Sequence, residues 1–373
     1  MVSSNSQDQM IGYDKLDPFK RECTKLGIDT ADQLPEGVRE VAWSRGESCY
    51  VVDHGDFYTG HVIEGLGTKN RISELMDFIG TAYDGRTRSP DWAHDVAVDC
   101  VAMIVNDMIT LGIPPFQIAM HLAVGESEWF VRDDRSAFLA GGWQSACFAS
   151  GAVWGGGETP TLKEIIVPGT FELSGSATGI LHDKKQLVNP SRIRPGDVII
   201  GLASNGIHAN GLTKARELGL EFGFFNPHVD KGDNDFGDEL TRPTRIYVKF
   251  LRACQEVGIR WSYGINVTGH GWRKIMRAEQ DLTYRISSVP PPMSVFSFMS
   301  DLGQIDQREM YATFNMGIGF IVIVRKSYAK KAMRLARSSG YEPMILGAVE
   351  KGPKRVIIEP LGIEYEGSEL EVR

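Results

Sequence analysis

A two-domain α/β or α+β chain is the fold class this sequence predicts. Three observations lead there. At 373 residues the chain is longer than one hydrophobic core usually serves. Short apolar runs that read as strands alternate with longer periodic runs that read as helices, in both halves. Between the halves, His182 to Pro195 turns polar and carries Lys184, Lys185, Pro190 and Pro195. This sets apart a variable N-terminal segment at 1–40, a first domain at 41–185 and a second domain at 186–373.

In the first half, Tyr58 to Ile63 reads as a strand that enters Glu64-Gly65-Leu66-Gly67-Thr68-Lys69. Asp91 to Leu111 reads as a long buried helix, Gln117 to Val124 as a strand and Ser136 to Ser150 as a helix. Ala152 to Trp154 reads as a short strand ending in a corner at Gly155-Gly156-Gly157, and Phe171 to Leu181 alternates as a strand. In the second half, the strand Val198 to Ala203 enters Ser204-Asn205-Gly206-Ile207-His208-Ala209-Asn210-Gly211, and a helix opens near Leu212. Thr244 to Val257 reads as helical, Phe320 to Val324 as a strand, and Ser327 to Ser339 as an amphipathic helix with Lys and Arg outward. Met344 to Val349 and Val356 to Ile358 read as closing strands.

A formal charge of −8 lacks the broad basic field that nucleic-acid binding needs. Cys23, Cys49, Cys100, Cys147 and Cys254 form no CxxC pair, which excludes a zinc ribbon and fits a reducing compartment. Met1 to Met10 has neither a signal core nor an Arg-rich transit pattern, and the longest apolar run, Met316 to Val324, is too short for a bilayer. These readings give a cytoplasmic enzyme with neither nucleic acid nor membrane as partner.

The buried helix carries Asp99 and Asn106 seven residues apart, on one face two turns from each other. A buried carboxylate needs a partner. Asp99 is therefore either a paired structural residue or, with Asn106, a holder of magnesium and phosphate. The Gly65/Gly67 corner with Thr68 and Lys69 suits phosphate, or is a tight turn with a solvated lysine; it is not a P-loop. Three consecutive glycines before Glu158 and Thr159 answer a steric need, either a ligand or a packed turn. The corner at Ser204 to Gly211 leads into a helix N-terminus, where free N–H groups suit an anion; His208 adds a donor or merely anchors the loop. A fourth corner, Asn266-Val267-Thr268-Gly269-His270-Gly271, holds another histidine. Patterns alone suggest a nucleotide–magnesium site and choose no reaction.

Read in order, these segments resemble the aminoimidazole ribonucleotide synthetases (phosphoribosylformylglycinamidine cyclo-ligases). Glu64-Gly-Leu-Gly-Thr-Lys69 is similar to that family's Asp-Gly-Val-Gly-Thr-Lys, and Asp99-Cys-Val-Ala-Met103 to its Asp-Leu-Val-Ala-Met. Gly156-Gly-Glu-Thr159, Pro243-Thr-Arg-Ile-Tyr-Val-Lys249 and Glu309-Met-Tyr-Ala-Thr-Phe-Asn315 carry the most specific likeness. The chain departs from the pattern at Glu64, where the family has Asp, at Asn266, where it has His, and in Val41 to Asp56, which lacks a Gly-Gly-Phe-Gly loop.

The resemblance implies a two-domain aminoimidazole-ribonucleotide-synthetase-like fold, with an N-terminal ATP-binding α/β domain at 41–185 and a C-terminal α+β domain at 186–373, a homodimer whose N-terminal strands pair across the two-fold, and ATP-driven closure of a small phosphorylated substrate, formylglycinamidine ribonucleotide. It implies ATP and Mg2+ as cofactors, with Glu64, Gly65, Gly67, Thr68, Lys69, Asn106, Gly156, Gly157, Glu158 and Thr159 around the nucleotide and Glu64, Asp99 and Glu158 on the metal. Ser204, Asn205, Gly206, His208, Asn210, Asn266 and Thr268 would meet the substrate, and Lys69, Asp99 and His208 would be catalytic. With Asn266 unable to titrate, His208 would carry the proton, ionising at about pH 6.5. The alternatives are a kinase or dehydratase of the same superfamily, or a silent nucleotide-binding homologue.

Overall fold

The computed structural model describes residues 13–83, 91–225 and 235–370. The leader reading at Met1 to Met10 lies outside them. Two mixed sheets organise the chain. The first contains β1 (Arg39–Glu40), β2 (Tyr50–Asp53), β3 (Tyr58–Gly65), β4 (Pro115–Val124), β5 (Val153–Glu158) and β6 (Phe171–Leu181), in spatial order β1-β2-β3-β6-β4-β5. The second contains β7 (Val198–Ala203), β8 (Trp261–Asn266), β9 (Leu282–Ile286), β10 (Ile318–Val324), β11 (Pro343–Lys351), β12 (Arg355–Ile358) and β13 (Ile363–Glu366), in order β13-β12-β9-β11-β7-β10-β8. Every described pairing is antiparallel except β4–β5 and β12–β9. The unbroken apolar run of β10 is buried along its whole length, as a strand covered on both faces must be.

The helices are α1 (Tyr13–Asp29), α2 (Lys69–Tyr83), α3 (Trp92–Ile109), α4 (Arg135–Ser150), α5 (Leu212–Phe222), α6 (Phe236–Thr241), α7 (Val248–Glu256), α8 (Ser294–Gly303), α9 (Gln307–Thr313) and α10 (Lys326–Ser338). No helix among the described residues is long and apolar enough to cross a membrane. In α10, Ala329, Ala332 and Ala336 form the buried stripe, and these small residues let the helix lie close on the second sheet.

Two expected elements differ. The glycines at 155–157 do not turn; the chain stays extended through them as β5. A Cβ at Gly157 would overlap the Met120 carbonyl, so the bare backbone lets β5 lie against β4. The steric need is strand packing. The helix expected from Thr244 starts only at Val248, and residues 242–247 carry no regular structure.

The reason lies in α3. This apolar helix packs on β3, β6 and α4 of the first half and reaches β8 of the second. A Cβ at Gly264 of β8 would collide with the backbone of Thr110 at the helix end. From α3, Asp99 Oδ1 accepts the Thr244 N–H at 2.8 Å and the Thr244 hydroxyl. Asn106 accepts the Tyr247 N–H at 2.9 Å and donates to the Arg245 carbonyl at 2.8 Å. Seven helical residues rise roughly 10.5 Å. Three extended residues span about the same distance. The spacing of Asp99 and Asn106 therefore matches that of Thr244 and Tyr247 only while the segment stays extended.

Asp99 Oδ2 meets Lys69 Nζ at 2.7 Å, and both side chains are 0% exposed. Burial pushes the Asp99 carboxyl up and the Lys69 ammonium down, and their mutual contact opposes both shifts. Removing one partner leaves the other charge buried alone. Asp99→Asn is therefore expected to lower the unfolding free energy by about 3–5 kcal/mol. Urea denaturation of Asp99→Asn, Lys69→Met and the double variant checks this: the double variant should lose less than the two single losses combined.

Candidate active site

A cavity of about 240 Å³ opens where the two halves meet. Glu64, Met103 and Asp107 line it from the first half, and Asn210, Asn266, Thr268, Gly269, His270, Lys274 and Arg277 from the second. Glu64 is the next-to-last residue of β3, Asp107 lies one turn past Met103 on α3, and Asn266 ends β8. Lys274 and Arg277 stand on the 3₁₀ turn Gly271–Arg277 that follows the fourth glycine corner.

Its electrostatics are two-sided. Burial first, then the Asp107 charge, raises the Glu64 pKa to about 7. Asp107 is held by the Asn266 amide, which donates to Oδ1 at 2.7 Å. Opposite, Lys274 donates to the Thr268 hydroxyl at 2.5 Å, and burial lowers its pKa. Arg277 is fixed by Ser48 Oγ at 2.7 Å and the Gly46 carbonyl at 2.8 Å. Such a cavity can take an anionic group on its basic wall and a cation, or a shared proton, between its carboxylates.

The expected site residues divide. Glu64, Asn210, Asn266 and Thr268 line the cavity. Asp99 and Lys69 do not; they are committed to each other, to Thr244 and to the Arg242 carbonyl. Asn106 is committed to the 245–247 backbone. Ser204 donates to Asn315 at 2.9 Å, and Asn205 donates to the Pro243 carbonyl at 2.9 Å. Gly65, Gly67 and Thr68 form the exposed to half-exposed loop after β3, while the Gly206 carbonyl accepts from Asn315.

The three expected metal ligands are kept apart by strand alternation. Glu64 pairs in register with Gly175, and Gly175 with Met120, on the face that packs against α3. Glu158 pairs with His121, and His121 with Ser174, on the opposite face. Asp99 lies inside. Among the described residues no group of three His, Cys, Asp or Glu side chains could hold a metal ion. Gly156, Gly157, Glu158 and Thr159 are likewise exposed on the far strand of that sheet.

His208 also differs from expectation. Burial, then the charges of Lys69 and Arg245, lowers its pKa to about 3. It stays neutral near pH 7, hydrogen-bonded to Asn205 Oδ1 at 3.0 Å, and so cannot supply an ionisation at pH 6.5. His270, which lines the cavity, is lowered to about 4 by burial and by Arg273 and Lys274. The sequence patterns assign no role to Asp107, Lys274 or Arg277. The available sign was three ionisable residues next to motifs already marked: Asp107 follows Asn106, and Lys274 and Arg277 follow the Asn266 corner.

Fold and cavity together define a two-domain protein with its site at the domain junction. The AIR synthase related protein N-terminal domain model matches residues 69–181, and the corresponding C-terminal domain model matches residues 194–359. A phosphoribosylformylglycinamidine cyclo-ligase of Carboxydothermus hydrogenoformans is 32% identical over 302 residues, 79% of this chain and 81% of that protein. One from Methanocaldococcus jannaschii is 31% identical over 301 residues, 80% of each. Thermotoga maritima PurL complexed with FGAR shares the fold at a TM-score of 0.57 and 16% identity, over 88% of this chain and 48% of that one. The chain belongs to the AIR synthase family.

Glu64 yields a pH test. Its folded pKa lies above the ordinary glutamate value of about 4.5, so the stability linked to its protonated form is present below about pH 4.5 and lost as pH rises through about 7. Glu64→Gln removes this dependence. Its melting temperature relative to the parent should rise between pH 5 and pH 8.5, as read by thermal melts across that range.

Proposed function

We propose that this chain closes formylglycinamidine ribonucleotide to aminoimidazole ribonucleotide with ATP, releasing ADP and phosphate, in de novo purine biosynthesis. The observation that carries this reading is the junction cavity with a carboxylate pair facing a lysine and an arginine, in a chain of this family. ATP phosphorylates the formyl oxygen, an amidine nitrogen attacks that carbon, and phosphate leaves as the ring closes. Lys274 and Arg277 hold the anionic phosphate of the ribonucleotide, and the amides of Asn210 and Asn266 orient its polar groups. His208 remains neutral and, through Asn205, steadies the loop that carries Asn210.

Glu64 and Asp107 are the residues that would hold Mg2+. Burial, and after it the Asp107 charge, raises the Glu64 pKa, a divalent cation between the two would relieve their repulsion, and two carboxylates plus water suit its preference for oxygen. When bound, Mg2+ offsets the charge of the transferring phosphoryl group. Asp107→Asn is expected to cut turnover by about a hundredfold. ADP release, assayed with and without formylglycinamidine ribonucleotide, should require the ribonucleotide. Equal release in both arms would count against the reading, as would full activity in Asp107→Asn.

We also read the chain as a cytoplasmic homodimer. All five cysteines are free, which suits a reducing compartment. The outer face of the first sheet leaves Ile63 72% exposed and Val153 58% exposed. A second copy laid on this face would bury them. Light scattering at micromolar concentration should give twice the chain mass, and Ile63→Arg should shift it towards the monomer.

A further inference from the structure

A second cavity, of about 200 Å³, lies at the other end of the second sheet, lined by Arg192, Arg260, Trp261, Ser262, Arg325 and Tyr328. The topology gathers these residues. Val324 of β10 pairs with Val198 of β7 on one side and with Trp261 of β8 on the other. Asp197, Arg260 and Arg325 each stand one residue beyond those paired ends, so they meet at one edge. Asn266, at the far end of β8, lines the junction cavity. Five strand steps separate it from Trp261, roughly 17 Å. The two cavities are therefore distinct.

Three guanidinium groups surround this second cavity, and one carboxylate serves them. Arg325 donates to Asp197 Oδ1 at 2.8 Å and to the Arg192 carbonyl at 2.8 Å. Asp197 Oδ2 is already used by the Ser262 hydroxyl at 2.9 Å and the Arg194 N–H at 3.1 Å. Arg192 donates to the Leu187 carbonyl at 3.1 Å, a neutral acceptor that fixes its position without cancelling its charge. Arg260 makes no ion pair or hydrogen bond among the described residues and is exposed beside the cavity. The rim thus carries three guanidinium charges against one carboxylate, on a chain whose formal charge is −8. A surface arginine is commonly just solvated. Three around one concavity, two of them already held in place, form a preorganised receptor for a tetrahedral oxyanion, which guanidinium forks bind through paired N–H donors.

We propose that this cavity is a second anion site, separate from the catalytic one, that binds the phosphoryl group of a small phosphate monoester or of free phosphate. Tyr328 contributes a hydroxyl at its wall, while the Ser262 hydroxyl stays committed to Asp197. The space exceeds that of a bare phosphate, which leaves room for an ester substituent.

The test is calorimetric titration of the full chain with inorganic phosphate, AMP and ribose 5-phosphate in separate arms. Using Lys274→Met protein weakens phosphate binding in the junction cavity. In that background, saturable binding should persist, and Arg260→Ala combined with Arg192→Gln should weaken it about tenfold or more, the scale of losing a charged hydrogen bond. Arg260→Ala alone should leave turnover unchanged. Tighter binding of the two esters than of inorganic phosphate would assign the site to monoesters, and equal binding would assign it to free phosphate. No saturable binding in the Lys274→Met background, or binding that ignores the arginine substitutions, would overturn the proposal. Neither outcome bears on the cyclo-ligase reading, which the ADP assay decides.

Discussion

The structure depends on how one irregular segment, residues 242–247, satisfies its backbone. It has neither helix nor strand partners, yet its polar groups are met by side chains from both halves. The Arg242 carbonyl accepts from Lys69, that of Pro243 from Asn205, that of Arg245 from Asn106 and that of Ile246 from Tyr341. The N–H groups of Thr244 and Tyr247 go to Asp99 and Asn106. Buried backbone groups left unmet would each carry a desolvation cost. Residues that look like nucleotide ligands in the sequence are instead what lets this segment join the two sheets.

That join shapes the junction cavity indirectly. Asn106 faces the segment. The next residue, Asp107, is turned about 100° around the helix axis. This aims its carboxylate past the segment, at Asn266 and Glu64. Fixing Asp99 and Asn106 fixes the rotation of α3, and so where Asp107 stands. The carboxylate pair draws one member from each of two elements, while its basic counterpart comes from the second half. A cavity built this way is complete only when the halves are locked.

Much of the fold was legible in the sequence. The strands Phe171–Leu181 and Val198–Ala203 follow from alternation and from an apolar run between turn residues. Alternation could not reveal the helix delay at Thr244, because the ligands that hold the segment extended lie more than a hundred residues away. Gly155 to Gly157 misled for a local reason: glycine serves close strand approach as well as turning. The family resemblance accords with the AIR synthase domain matches. It did not separate residues that touch the cavity from residues that support it. Asp99 and Asp107 lie on the same helix near similar motifs, and only the packing assigns one to the interior and the other to the site.

The pKa pattern follows from the same division. His208 and Lys69 are pressed towards neutrality by burial, and neither meets water or the cavity. Glu64 is raised too, but it borders the cavity, so binding can change its environment. A group can respond to a substrate or cation only if its surroundings differ between the empty and the filled site. In this chain Glu64 meets that condition and His208 does not. The departure from the family at Glu64, one methylene longer than aspartate, therefore falls on a side chain that spans from the end of β3 to Asp107. The departure at Asn266 falls on the amide that holds Asp107 from the other side. Both changes act on the same carboxylate, and a neutral amide there leaves Asp107 its charge where a protonated histidine would offset it.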